Sequence, residues 1–345
     1  MTERPVSGSA RALPRFALAA LLLLLALFVP WMFENQFGLY LLDMALINAV
    51  IALGLNVVLK TGQVSMAQAG FMAIGAYTSA QLTVKLDVPF LVGFVAAGLG
   101  AALVALVLGC IILRLKGVYF LLFTFALNEF LYLLNKNLPA LTGGNDGVVG
   151  IKPPTIPFVA DPLRSKASFY YLVLVVVLLA LAFVWALYRS PFGRAMDAVR
   201  ESELLAAATG YNPMRIKMIA FSIGCLLAGL GGSLYAHFLL YIAPFSFTFW
   251  ESVNFLLMSI IGGSTSLAGP ILGALLLTPL PELLRAYVMW QQVLYGLTFM
   301  VFMRFLPDGV TPLCSSAWLA LAGRLRRPAA EPPAGERAPD PRSGS

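Results

Sequence analysis

The feature that most constrains this chain is the recurrence of long apolar runs with almost no charge inside them. Stretches near 16–33, 39–59, 64–84, 89–113, 117–135, 168–188, 216–238, 251–263, 267–284 and 287–305 read as hydrophobic helices. Most reach the roughly 18 residues that a hydrocarbon layer about 30 Å thick demands of a spanning helix. Backbone in that layer must satisfy its own hydrogen bonds. The expected fold class is therefore all-α: a polytopic transmembrane helical bundle of about ten spans, with short or re-entrant helices among them. The run at 251–263 is too short to cross unaided. It ends at Ile261-Gly262-Gly263-Ser264-Thr265, where a helix can break. Composition agrees, since only 11% of residues are charged against about 25% in soluble domains.

Charge then fixes an orientation. With the N-terminus in the cytoplasm and the spans alternating, only Lys85, Lys136, Lys152, Arg164, Lys166 and Arg285 of the 23 Lys and Arg fall outside. The excess of basic residues inside predicts both termini in the cytoplasm. The layout is a cytoplasmic tail at 1–15, a membrane domain at 16–306 and a cytoplasmic, largely disordered tail at 307–345. The membrane domain carries a cytoplasmic loop at 189–217 and an outward loop at 136–167. The formal charge of +7 follows from this orientation, and no cluster resembles a nucleic-acid-reading module. Arg11 and Arg15 precede the first apolar run as in a signal peptide. Pro30-Trp31-Met32-Phe33 offers no small-residue cleavage site, so a retained helix is expected.

Several chemistries are missing. Cys110, Cys225 and Cys314 are far apart and His237 is the only histidine, so the usual zinc ligand sets do not occur and no metal is expected. There is no Gly-Lys dipeptide, hence no phosphate-cradling Walker loop, and no nucleophile elbow or zinc-protease motif. The chain is expected to be no enzyme and to bind no cofactor. Any ATP it depends on belongs to another chain.

The loop at 189–217 carries the most information. Ser190 suits a helix N-cap, Pro191 the first helical position and Gly210 a C-cap, with Pro213 just beyond. This predicts one helix of about five turns between two spans. On it Met196, Val199, Ala206 and Ala207 share an apolar face with Glu203, and Arg194, Asp197 and Glu201 point the other way.

Within that loop, Glu203-x-x-Ala206-Ala207-x-x-Gly210 resembles the cytoplasmic coupling motif of ABC importer permeases. The flank Gly193-Arg194-Ala195-x-x-Ala198-x-Arg200-Glu201 resembles the branched-chain amino acid permease family of the LivM type. So do four further stretches: Gly54-Leu55-Asn56 with Gly62-Gln63-Val64-Ser65 and Gly70 to Tyr77; Leu113 to Phe120; Leu141-Thr142-Gly143-Gly144-Asn145-Asp146-Gly147 before Gly150-Ile151; and Ala228 to Gly232 with Ile261-Gly262-Gly263 and Gly269 to Ala274. The family's more frequent Ser-Leu-Gly is here Ser65-Met66-Ala67, and urea-type permeases share the glycine pattern.

The resemblance implies a permease subunit of a binding-protein-dependent ABC importer for branched-chain or related amino acids. It implies four kinds of partner: a second homologous permease, two ATPase subunits that use ATP, a periplasmic substrate-binding protein and the lipid bilayer. A permease for urea or short amides is one alternative; an ion-gradient-driven carrier with Glu129 as proton carrier is another. The coupling residues it implies are Arg194, Arg200, Glu203, Ala206, Ala207 and Gly210. For the two arginines, docking and mere enforcement of orientation stand side by side. Reversal of Glu203 to Lys is expected to uncouple transport without disturbing the fold.

Polar residues within spans are costly and supply candidates for the translocation path: Asn56, Gln63, Ser65, Gln68, Asn128 and Glu129. For Asn128 and Glu129, pathway lining and interhelical hydrogen bonding are equally open. In the outward loop Thr142, Gly143, Gly144 and Asp146 form a plain turn cluster, a contact for a docking binding protein or a gate at the outer mouth. Small residues every fourth position, Ala228, Gly232 and Ala236, and again Gly269 and Gly273, predict close helix packing.

Overall fold

A computed structural model describes residues 27, 28, 30, 36–155, 166–264, 266–284, 291–305 and 309–311. Most of the first apolar run, the tail at 1–15, all of the tail at 307–345 but 309–311, and residues 156–165 of the outward loop lie outside the described residues. The long helices are α1 (Gln36–Leu59), α2 (Gln68–Lys85), α3 (Phe90–Ile112), α4 (Val118–Asn137), α6 (Lys166–Arg189) and α9 (Pro213–Leu239). Between α4 and α6 come the single turn α5 (Pro139–Thr142) and the strand β1 (Val148–Val149). Between α6 and α9 lie α7 (Pro191–Glu201) and α8 (Glu203–Ala208). After α9 follow β2 (Tyr241–Ile242), α10 (Phe249–Gly262), α11 (Gly269–Leu277), the turn α12 (Leu280–Leu283) and α13 (Gln291–Phe305). The two short strands pair antiparallel, Val148 opposite Ile242 and Val149 opposite Tyr241.

Among the described residues six segments are long and apolar enough to cross a membrane: α1, α3, α4, α6, α9 and the run Pro244–Gly262. The last corrects one expectation. A 3-10 turn at Pro244–Phe247 leads into α10, so the run that looked too short at 251–263 gains a lead-in and reaches 19 residues. The helix does break where expected, with Gly263 at φ +115°. The span predicted from 64 is shorter than expected. Its helix starts only at Gln68, because Thr61 and Gly62 close a turn on Val58 and Leu59 and Gly62 adopts φ +81°.

Helix α9 is the axis of the bundle and packs against α1, α2 and α3. Its glycines are what allow it. A Cβ on Gly224 would sit 2.7 Å from the Gly54 carbonyl oxygen of α1, and one on Gly229 would sit 2.6 Å from the Ala97 carbonyl oxygen of α3. One on Gly232 would strike the Met72 carbonyl oxygen of α2, and Gly75 of α2 meets Gly229 backbone to backbone. Three neighbours thus approach one helix at backbone distance, the close packing that small residues permit in lipid. The same holds for α10 and α11, where Gly273 packs on the Met258 carbonyl.

Helices α10 and α11 lie along α1 and run antiparallel to each other. Ser259 donates to the Ala52 carbonyl at 3.0 Å, Asn56 donates to the Ser264 carbonyl at 2.9 Å, and Asn48 donates to Thr278 at 3.1 Å. The turn between them therefore lies at the end of the bundle that holds Lys60, Lys116 and α7–α8. The opposite end holds Lys85, α5, β1 and β2, the partition that the charge pattern predicts.

Gly232→Val should destabilise the detergent-solubilised protein by about 1–3 kcal/mol or abolish folding, as overpacking against rigid backbone does. Gly100→Ala serves as control, since its Cβ would meet only Thr78 atoms at 3.8 and 3.9 Å. Thermal unfolding followed by size-exclusion chromatography separates the two.

Candidate functional site

The segment 189–217 forms a platform at the Lys60 end. It is not the single helix expected. The helix stops at Glu201, Ser202 turns extended at φ −160° and ψ 117°, and α8 restarts at Glu203. Ser202 is itself an N-cap, accepting from the Leu205 amide at 3.3 Å. Ser190 caps α7 through the Gly193 amide at 3.3 Å, and Asn212 caps α9 through the Arg215 amide at 3.2 Å. Each helix of the platform thus starts on its own side-chain acceptor. Gly210 takes φ +91°, as the expected C-cap requires.

The break changes what the platform presents. Met196, Val199 and Ala206 are buried in this chain's own core, as are Gly193 and Ala195. Ala207, expected on the same face, is exposed instead. The outer surface carries Arg194, Arg200, Ala207 and Gly210, together with Leu204 at 81% and Leu205 at 68% exposure. The two leucines were missed from sequence, because a continuous helix would place them off the docking face.

Glu203 does not project outward as a free charge. It is half-buried and bridges Lys217 of α9, which is buried, and Lys116 before α4, the latter at 3.0 Å. Burial alone would raise its carboxyl above the usual range, but hydrogen bonds and charge from Lys217 and Lys116 outweigh that and hold it lower. Reversal to Lys would set three ammonium groups together, so the expectation of an undisturbed fold gives way. A second brace joins α7 to the end of α1, with Asp197 and Lys60 at 2.6 Å.

The candidates for the translocation path meet at the start of α2, in the interior. Ser65, Gln68 and Asn128 are buried there. An uncapped helix start has amides without partners, and here other helices supply them. Met66 donates to Thr124 of α4 at 3.0 Å, Ala69 to Ser252 of α10 at 2.9 Å and Gly70 to Asn128 of α4 at 2.7 Å. Ser252 in turn donates to Asn128 at 3.2 Å. Gln68 donates to carbonyls of Ile51 and Gly224 at 3.3 and 3.1 Å. Gln63, also buried, engages neither of its polar atoms, and Gln68 Oε1 and Asn128 Nδ2 find no partner either. Glu129 beside them is only half-buried. Asn56 stands apart, near the α10–α11 turn, where it accepts from the Tyr188 hydroxyl at 2.7 Å.

At the opposite end the loop Thr142–Gly147 is a fixed turn. Thr142 is buried, donates to the Leu138 carbonyl at 2.8 Å and accepts from the Gly144 amide at 3.2 Å. Gly143 and Gly144 take φ +74° and +60°. Within this loop only Asn145 and Asp146 are exposed. The Asp146 carbonyl accepts from Tyr241 at 3.2 Å, which ties the loop to the end of α9. Among the described residues no group of three His, Cys, Asp or Glu side chains is placed to hold a metal ion.

One residue was overlooked in the sequence. Asp43 of α1 is fully buried and neither carboxyl oxygen has a hydrogen-bond partner. The signal was available: it is the only acidic residue in the run 39–59.

Comparison with known proteins bears on the whole arrangement. Residues 37–303 match the family described as the permease component of the branched-chain amino acid transport system. The high-affinity branched-chain amino acid transport system permease protein LivM of Escherichia coli K12 is 33% identical over 316 residues, covering 85% of this chain and 74% of that protein. Its counterpart in Salmonella typhimurium is 34% identical with the same coverage. The autoinducer 2 import system permease protein LsrC of Yersinia pseudotuberculosis is 28% identical, covering 82% of each chain. No solved structure matches the chain.

Two measurements test the site. A carboxyl held below its unfolded value of 4.5 contributes stability above that value and loses it as the pH falls through the native one. The melting-temperature gap between wild type and Glu203→Gln should therefore be full at pH 7 and close as the pH drops below 4.5. Asp43→Leu should raise the melting temperature, because an unpaired buried polar group costs about 1–3 kcal/mol.

Proposed function

The chain belongs to the branched-chain amino acid transport permease family, and from that premise we propose that it is the membrane-spanning permease subunit of a binding-protein-dependent ABC importer. Its cargo is leucine, isoleucine, valine or a related amino acid. The partners are a second homologous permease, two ATPase subunits and a periplasmic substrate-binding protein. ATP is bound by the ATPase subunits, and this chain performs no catalysis and holds no cofactor.

The observation that carries this reading is the platform at 189–217. Two exposed leucines in a loop flanked by Arg194 and Arg200 are unsuited to water and suited to an apolar cleft with an acidic rim. The platform is also braced to α1, α4 and α9 through Lys60, Lys116 and Lys217, so force applied there reaches the spans. On this reading the Lys60 end faces the cytoplasm of a bacterial inner membrane and both termini lie there. The turn at Thr142–Gly147 faces outward, with Asp146 available to the binding protein. The polar cluster of Ser65, Gln68, Asn128 and Gln63 is the translocation path in its closed form, held shut by Ser252. Unsatisfied polar atoms in a membrane interior favour a second arrangement in which water or substrate satisfies them.

The test is labelled-leucine uptake into proteoliposomes that hold this chain, its partner permease, the ATPases and the binding protein. Uptake should require ATP and every partner, and valine should compete with it more strongly than urea. Uptake by this chain alone under a proton gradient would replace the proposal with a gradient-driven carrier. Leu204→Asp with Leu205→Asp should leave membrane insertion intact, since both side chains are exposed, and abolish both co-purification of the ATPases and uptake.

A further inference from the structure

A continuous line of side-chain contacts runs from the platform to the turn between α10 and α11. Asp197 on α7 pairs with Lys60 at 2.6 Å. The Lys60 ammonium lies 4.7 Å above the ring of Tyr188, near the end of α6. The Tyr188 hydroxyl donates to Asn56 Oδ1 at 2.7 Å, and Asn56 Nδ2 donates to the Ser264 carbonyl at 2.9 Å. Asn56 is fully buried, with both ends of its amide engaged, so a flip would break both bonds at once.

The receiving end is a glycine turn whose backbones lie in direct contact, Gly262 against Gly269. Gly262 and Gly263 precede the turn and Gly269 follows it, with Gly263 at φ +115°. On its far side the turn is clasped by 309–311, where the Thr311 hydroxyl donates to the Gly262 carbonyl and accepts from Ser266 at 3.1 Å. Ser252, ten residues up α10 from Gly262 and therefore about 15 Å away, bonds the polar cluster through the Ala69 amide and Asn128. Axial displacement of α10 would withdraw Ser252 from both.

We propose that Asp197, Lys60, Tyr188 and Asn56 form a relay that transmits displacement of α7 to the α10–α11 turn and so, through Ser252, opens the polar cluster. This rests on the reading of 189–217 as the ATPase platform. The four are positioning residues: none touches substrate. Contacts of this kind modulate coupling between distant sites without contributing to binding at either. The cation–π step is the link that a hydroxyl deletion spares, which makes Tyr188→Phe a clean cut at one bond.

The experiment uses the complete reconstituted transporter and reads ATP hydrolysis and leucine uptake in the same vesicles. Tyr188→Phe should hydrolyse ATP within about twofold of wild type while uptake per ATP falls about tenfold, the effect of one lost hydrogen bond on coupling. Asp197→Asn should behave alike, and the double variant should be no worse than either single one, as links of one chain are not additive. Wild-type uptake per ATP in Tyr188→Phe, a parallel fall of both activities, or multiplying losses in the double variant would overturn the relay. A second readout needs no transport. Hydrogen exchange at the amides of 263–269 in the assembled complex should accelerate severalfold in Asp197→Asn and stay unchanged in Glu201→Gln, on the same helix. Equal exchange in both would overturn the relay even if wild-type uptake failed, whereas failed wild-type uptake with the expected exchange would count against the importer reading alone.

Discussion

Everything in this bundle depends on how closely other backbones approach α9. In lipid, apolar side chains gain nothing by leaving their surroundings, so the hydrophobic effect does not hold helices together there; contact area and hydrogen bonds do. Gly224, Gly229 and Gly232 remove the side chains that would keep α1, α2 and α3 away. The axis then reaches from the braced Lys217 at one end to His237 at the other, where His237 bonds the Lys152 carbonyl at 2.9 Å and Ser79 at 3.0 Å. Because three helices share this one reference, the platform and the outward turn are both positioned against the same rod.

Onto that scaffold the molecule places two kinds of polar contact with opposite characters. At the platform end charged side chains pair between elements, with Lys217 buried and Asp197 half-exposed, where water moderates its energy. In the interior, neutral groups cap the start of α2, and three side chains there keep polar atoms without partners. The first set gives rigid attachment. The second gives a core that is closed but incompletely satisfied, suited to a protein that must open and reclose.

Much of this was legible in the sequence, and the failures have specific causes. Apolar run length located the spans, and small-residue spacing located the close crossings at Gly232 and Gly273. Charge counting separated the two ends of the bundle. The caps at Ser190 and Gly210 were read correctly from residue type. The break at Ser202 was missed because helical periodicity was carried across it, although a serine followed by Glu203 is itself a start signal. That one slip moved Ala207 to the wrong face and hid Leu204 and Leu205. The partners of Glu203 were beyond reach, since Lys116 and Lys217 lie on other elements and no local spacing links them. The path residues were picked out as costly polar groups, but not that Thr124 and Ser252 complete their cluster, because hydroxyls in apolar helices ordinarily bond their own backbone.

The capping of α2 has a consequence for how the chain is made. The Ala69 amide waits for Ser252, which lies 183 residues later. At a synthesis rate of about 5–20 residues per second, that separation amounts to roughly 10–40 s. For that interval the first turn of α2 is unfinished, its start held by Ser65, by the Ile51 carbonyl of α1 and by α4. The newborn helix therefore depends on the translocation machinery, or on water at its end, until the second half of the protein arrives. Ser252 therefore completes the α2 start only after α9, which packs on α1, α2 and α3, has been made.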